Sequence, residues 1–190
     1  MVAPGRGYVW TATARVLGVP VTGYDRYGGG TAEMRWRVFG AVPVVSADGP
    51  DVAFGAAGRL AWEMALLPTA FQRAVCRDGP DPDTTIATWE IDGGVPEVRL
   101  RVGQQGQLLD VLIQRGGQPP VAELGWYPFG VTVLSEQTWA GVTLPARFRA
   151  GWWWGTPRED EGAFLRGHLT GASLRMSRWL RRGTVTRGGT

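Results

Sequence analysis

Between Thr31 and Phe39 the chain alternates without a break: Ala32, Met34, Trp36 and Val38 fall on one side, Glu33, Arg35 and Arg37 on the other. A period of two requires an extended strand with one face on a core and the other in water. The same period recurs over Tyr8–Leu17, where Tyr8, Trp10, Ala12, Ala14 and Val16 share a face, and more weakly over Val21–Tyr27. The glycines of "YGGGT" make a turn. Further strands are predicted over Thr85–Ile91, Val95–Val102, Leu108–Arg115, Val131–Glu136, Thr143–Trp154 and Ala163–Leu174, with "DGG" and "GQQGQ" as turns. The stretch "GGQPPVAELGWYPFG" reads as an irregular connection. Links this short join antiparallel neighbours, so the chain has about eight antiparallel strands.

Residues 50–67 change period. Ala53, Ala56, Ala57, Leu60, Met64 and Leu67 recur at helical spacing, Pro50 suits a first helical turn, and Pro68 ends the run. Gly55 and Gly58 each cost about 1 kcal/mol against alanine inside a helix, which points to a helix backbone lying very close to a sheet. "PTAFQRAVC" adds a short second helix. The predicted fold is mainly β (α+β): a curved antiparallel sheet forming an open or closed β-barrel, with one or two helices packed on its concave face. Residues 1–174 form this domain, and 175–190 an arginine-rich, flexible tail. The space between helix and sheet is where a ligand would sit.

Composition removes several chemistries. All twenty basic residues are arginine, so no lysine serves as Schiff base, phosphate ligand or general base. One cysteine and one histidine make a metal or iron–sulfur centre unexpected, and neither metal nor cofactor is predicted. Five arginines lie in 175–190, leaving 15 against 17 acids, a net −2, on the body; nucleic acid is not the expected partner. No apolar run reaches the roughly 18 residues of a membrane span. No signal peptide is evident, no stable membrane insertion is expected, and the expected location is cytoplasmic.

"GRLAWEMALLPTAF", preceded by "VFGAVPVVSADGPDV", resembles an uncharacterised bacterial family common in actinobacteria and bacilli. Its members share a Gly–Pro helix start, an arginine and a glutamate four residues apart, and a closing Leu-Pro, places that Arg59, Glu63, Leu67 and Pro68 would fill. "TWEID", "YPFG" and "TLPARFRAGWWWG" follow in the same order. The resemblance implies the half-barrel architecture of bacterial lipoprotein carriers, whose curved sheet and inner helices enclose a hydrophobic cavity. Phe54 and Trp62 are bulkier than that resemblance implies, and on the cavity wall they would reshape the pocket.

Glu63 has two readings. It is either the surface i,i+4 partner of Arg59, worth about 0.3–0.5 kcal/mol, or a desolvated carboxylate at the cavity edge acting as acid or base. Ten tryptophans are many for a core of this size, and rigid aromatic walls suit a flat, polyketide-like guest. The predicted lining is Tyr8, Trp10, Met34, Trp36, Phe54, Arg59, Trp62, Trp89, Leu100, Trp126, Tyr127, Trp152 and Trp154. His168, alone of its kind, is read as structural. The expected function is binding of a hydrophobic, polyketide- or lipid-like small molecule. A cofactor-independent cyclase or pericyclase step uses Glu63, or the protein is a non-catalytic carrier or sensor.

Overall fold

The computed structural model describes residues 1–173. Two antiparallel sheets flank a single long helix. The first sheet joins β1 (Val2–Ala3), β2 (Gly7–Val16), β3 (Val19–Gly28), β4 (Thr31–Val38) and β5 (Val42–Asp48) in chain order. The second joins β6 (Val75–Asp78), β7 (Thr84–Thr88), β8 (Glu97–Val102), β9 (Leu108–Gly117), β10 (Gly125–Trp139), β11 (Val142–Trp152) and β12 (Ala163–His168), again as a meander. Between the sheets run α1 (Pro50–Ala65) and a 3₁₀ helix (Pro68–Arg73); a single turn, α2 (Glu159–Gly162), precedes β12.

Pro50 opens α1 with no amide to satisfy, and Asp51 places a negative charge at the positive end of the helix dipole. Leu66 caps the other end through its N–H, and Pro68 starts the 3₁₀ turn rather than continuing the helix. The helix contacts β3, β4 and β5 on one side and β8 and β9 on the other. Its buried set, Gly58, Leu60, Ala61, Trp62, Met64 and Ala65 among them, therefore runs around the helix rather than along one stripe. Gly58 has the predicted role, since a Cβ there would come within 2.8 Å of the Arg115 side chain on β9; one on Gly55 would lie 3.4 Å from the Gly116 carbonyl, an ordinary contact.

The sheet is curved and antiparallel, as predicted, but it is two sheets and neither closes into a barrel. Elsewhere, β10 begins at Gly125, inside the stretch expected to be an irregular connection, and carries Pro128 within its pairing to β9. The last strand stops at His168, and the expected tail, 175–190, lies outside the described residues. On β2 the predicted inward face is only half covered. Tyr8 is buried, whereas Trp10 is 38 % and Val16 57 % exposed.

Candidate functional site

Two places concentrate chemistry. The first is a charged cluster where α1 meets the first sheet. Arg59 donates from Nε to Glu63 Oε1 at 2.7 Å and from a terminal nitrogen to Asp25 Oδ2 at 2.9 Å. Asp25, on β3, takes the Trp36 indole N–H on its other oxygen at 2.9 Å. The Arg59 guanidinium also lies 4.7 Å from the Tyr8 ring centre and 4.8 Å from that of Trp10, and Trp10 leans on Trp36. Side-chain exposures of 16 % for Arg59, 10 % for Asp25 and 13 % for Glu63 make this a largely dry network.

Glu63 therefore fits neither simple reading. It is not a water-exposed pair, and one of its carboxylate oxygens, Oε1, is held by Arg59 at 2.7 Å. Burial alone would lower the Arg59 pKa, but the charges of Glu63, Tyr8 and Asp25, with the Glu63 hydrogen bond, reverse the direction and raise it. Burial pushes the Tyr8 phenol up to about 12, against the opposing pull of Arg59. Arg115, on β9 beyond the helix, has no carboxylate within ion-pair distance among the described residues. It donates to the Gly55 carbonyl at 3.3 Å and stacks on Phe129 and Trp152, each 4.8 Å away. Burial, then the like charge of Arg59, lowers its pKa to about 10.

The remaining predicted residues are packed elsewhere. Met34 is half-buried on β4, opposite Asp25. Phe54 meets Trp126 edge to face at 4.7 Å and covers Gly116, while Trp126 itself is 64 % exposed. Trp62 lies on Phe129, and its buried indole N–H has no partner among the described residues. Trp89 donates to the Ala70 carbonyl beneath Phe71. Tyr127 donates to the Glu123 carbonyl, and Trp152 stands edge-on to Phe129. Trp154 is half-buried, its indole reaching Thr132 at 3.4 Å. Trp153 does not alternate outward, since the strand ends at Trp152; a φ of 54° turns its ring inward, where Arg158 stacks on it at 3.7 Å. His168 is exposed at the end of β12.

The rings thus fill the space between helix and sheets that the sequence reading had left for a guest. Of the expected lining, Leu100 alone borders the larger open space. That second place is a cleft of about 830 Å³ at the C-terminal end of α1. Leu66, Pro68 and Phe71 form one side, and Leu100, Val102 and Leu108 of β8 and β9 another. Val142 and Pro145 of β11 close it, with Cys76 and Thr85 across from them. Among the described residues that line it there is no arginine, and Glu136 is the one charged group, with a single oxygen accepting the Leu108 N–H at 3.2 Å. A smaller hollow of about 380 Å³ on the first sheet is lined by Thr22, Gly23, Tyr24, Arg35 and Arg37.

Asp25 and Arg115 were the residues sequence reasoning missed. Each continues an inward period-two face, Asp25 between Gly23 and Tyr27 and Arg115 after Val111 and Ile113, and a charge on such a face was the available signal. Among the described residues no group of three or more His, Cys, Asp or Glu side chains is placed to hold a metal ion, and no helix is long and apolar enough to cross a membrane. One family model, described as a family of unknown function (DUF6544), matches residues 1–164. No curated protein and no solved structure matches the chain.

Proposed function

The chain belongs to a family of unknown function, DUF6544, and from that premise we propose that it binds a hydrophobic small molecule in the cleft beside the C-terminal end of α1. What supports the reading is the cleft's size and lining. About 830 Å³ falls in the usual range of roughly 300–1,000 Å³ for small-molecule sites, and the walls are apolar with a few polar groups at fixed places. Desolvating an apolar chain against such walls contributes about 25 cal/mol per Å² before ordering costs.

The charge pattern narrows the guest. Among the described lining residues Glu136 is the one charge, and its negative sign disfavours an anionic head such as a carboxylate or phosphate. A neutral or cationic head that donates a hydrogen bond is favoured. Of the two modes weighed, carrier or sensor is preferred over cyclase, because Glu63 is engaged by Arg59 and is not among the cleft residues.

Cys76, the single cysteine, is exposed and borders the cleft, so it takes an environment-sensitive thiol dye without mutagenesis. Titration with dodecanol and dodecylamine is expected to shift the dye emission, and dodecanoate to do so weakly. Thr143→Trp, at an exposed cleft position, should weaken every ligand, whereas Glu63→Gln should leave binding unchanged. A dye indifferent to all three amphiphiles would sink the reading. Turnover of a bound precursor that Glu63→Gln slows by about 10²–10⁴-fold would restore the cyclase.

A further inference from the structure

At one end of the first sheet two hairpins finish side by side. The β2–β3 turn is Leu17–Gly18 and the β4–β5 turn starts at Phe39–Gly40, and the Phe39 N–H donates to the Pro20 carbonyl at 3.0 Å. Leu17 is 100 % and Phe39 70 % exposed, with Val16 and Val42 also in water beside them. Leu17 and Phe39 both sit in the left-handed region, at φ of 51° and 52°. A bulky side chain is disfavoured there, while asparagine or aspartate is tolerated. The matching turn at Asp92–Gly93 uses the favoured type, with φ of 48° and 82°. Local energetics thus ask for a polar residue at 17 and 39, and solvent does too. Nothing in the core requires leucine or phenylalanine at either place.

The charges around these tips have one sign. Residues 13–22 and 36–45, the strand ends that carry them, contain Arg15 and Arg37 and no acid. Both arginines are exposed. Apolar tips ringed by guanidinium groups complement an anionic bilayer, with the tips at the acyl boundary and the arginines on phosphate oxygens. We propose that the Leu17 and Phe39 hairpin tips dock this protein reversibly on an anionic membrane surface. The contact is shallow and needs no spanning segment. It is independent of the cleft, which lies in the second sheet and beside the end of α1.

Co-sedimentation of the full chain with vesicles tests it, using phosphatidylcholine alone and phosphatidylcholine mixed with phosphatidylglycerol. Binding is expected to the mixed vesicles, weakening as salt screens the arginines. Leu17→Asn with Phe39→Asn should lower partitioning roughly 100-fold, the size expected from losing two buried apolar side chains, while the melting temperature holds or rises. Arg37→Gln should cost about fivefold. Absence of binding to the mixed vesicles overturns the proposal. So does undiminished binding by the double variant, which would move the contact to another part of the chain. A double variant with a lowered melting temperature would make the tips structural and overturn it too. So would a dimer lost in that variant without vesicle binding.

Discussion

Arg115 is the charge least accommodated by its surroundings. It lies in an aromatic slot with one long hydrogen bond, and its pKa is lowered to about 10, first by burial and then by Arg59. Burial raises Tyr8, a few ångströms from Arg59, to about 12. The two therefore act oppositely as pH rises above 10. For Arg115 the unfolded chain keeps its proton to higher pH, so this group adds stability as pH climbs. For Tyr8 the folded state keeps the proton, so its contribution is intact below the ordinary phenol pKa near 10 and is lost towards 12. Arg115→Met keeps the stem between the rings and removes the buried charge, with its compensating pH dependence and its one long hydrogen bond. Its stability at pH 7 should equal or exceed that of the parent, and it should fall more steeply above about pH 10. Urea midpoints at pH 7 and in that alkaline range measure it; parallel curves for the two proteins would contradict the assignment. The sequence carried part of this site. Arg59 and Glu63, one helical turn apart, were legible, but Asp25 lies 34 residues from Arg59 and its role depends on a contact between elements that no local period encodes.

At the scale of elements, what could be read was a regular residue period or a proline boundary. The alternation of β4 and the proline-bounded helix were visible for that reason. β5 was not: it is exposed along nearly all its length, and Pro43 falls at the register shift against β4, so no period survives. β6 is an edge strand with every residue exposed. The bulk of Phe54 and Trp62 is legible in the sequence, but the surface it packs against is not. These side chains fill the gap between α1 and the second sheet instead of lining a cavity. The close seat of α1 on β9 separates its two glycines by experiment. Gly55→Ala adds a Cβ at ordinary contact distance, 3.4 Å from a carbonyl, so the helix propensity gain of about 1 kcal/mol should appear as a raised melting temperature. Gly58→Ala puts a Cβ 2.8 Å from Arg115 Cγ, close to the strand, where the side chain has least freedom to move. That variant should melt lower than the parent despite the same propensity gain. Thermal denaturation of the pair, with opposite signs expected, checks the packing directly.

For the whole molecule the decisive contact is the helix itself. The two sheets share no strand pairing among the described residues, and α1 touches strands of both. The curved antiparallel sheet was legible because meander turns and a single helix leave few other arrangements; the division into two sheets was not, since no local period encodes which strands pair across the helix. If α1 is the common core, the sheets cannot unfold separately. Leu60 is fully buried on α1, and Leu60→Ala should cost about 3–4 kcal/mol through lost burial and the cavity left behind. Under two-state behaviour that loss appears as one shifted transition. Far-ultraviolet dichroism, which follows both sheets, and the fluorescence of Trp89 and its neighbours under the 3₁₀ helix should still coincide in the variant. Two separated transitions, or dichroism that persists after the fluorescence has changed, would mean that each sheet has its own core and that α1 merely lies between them.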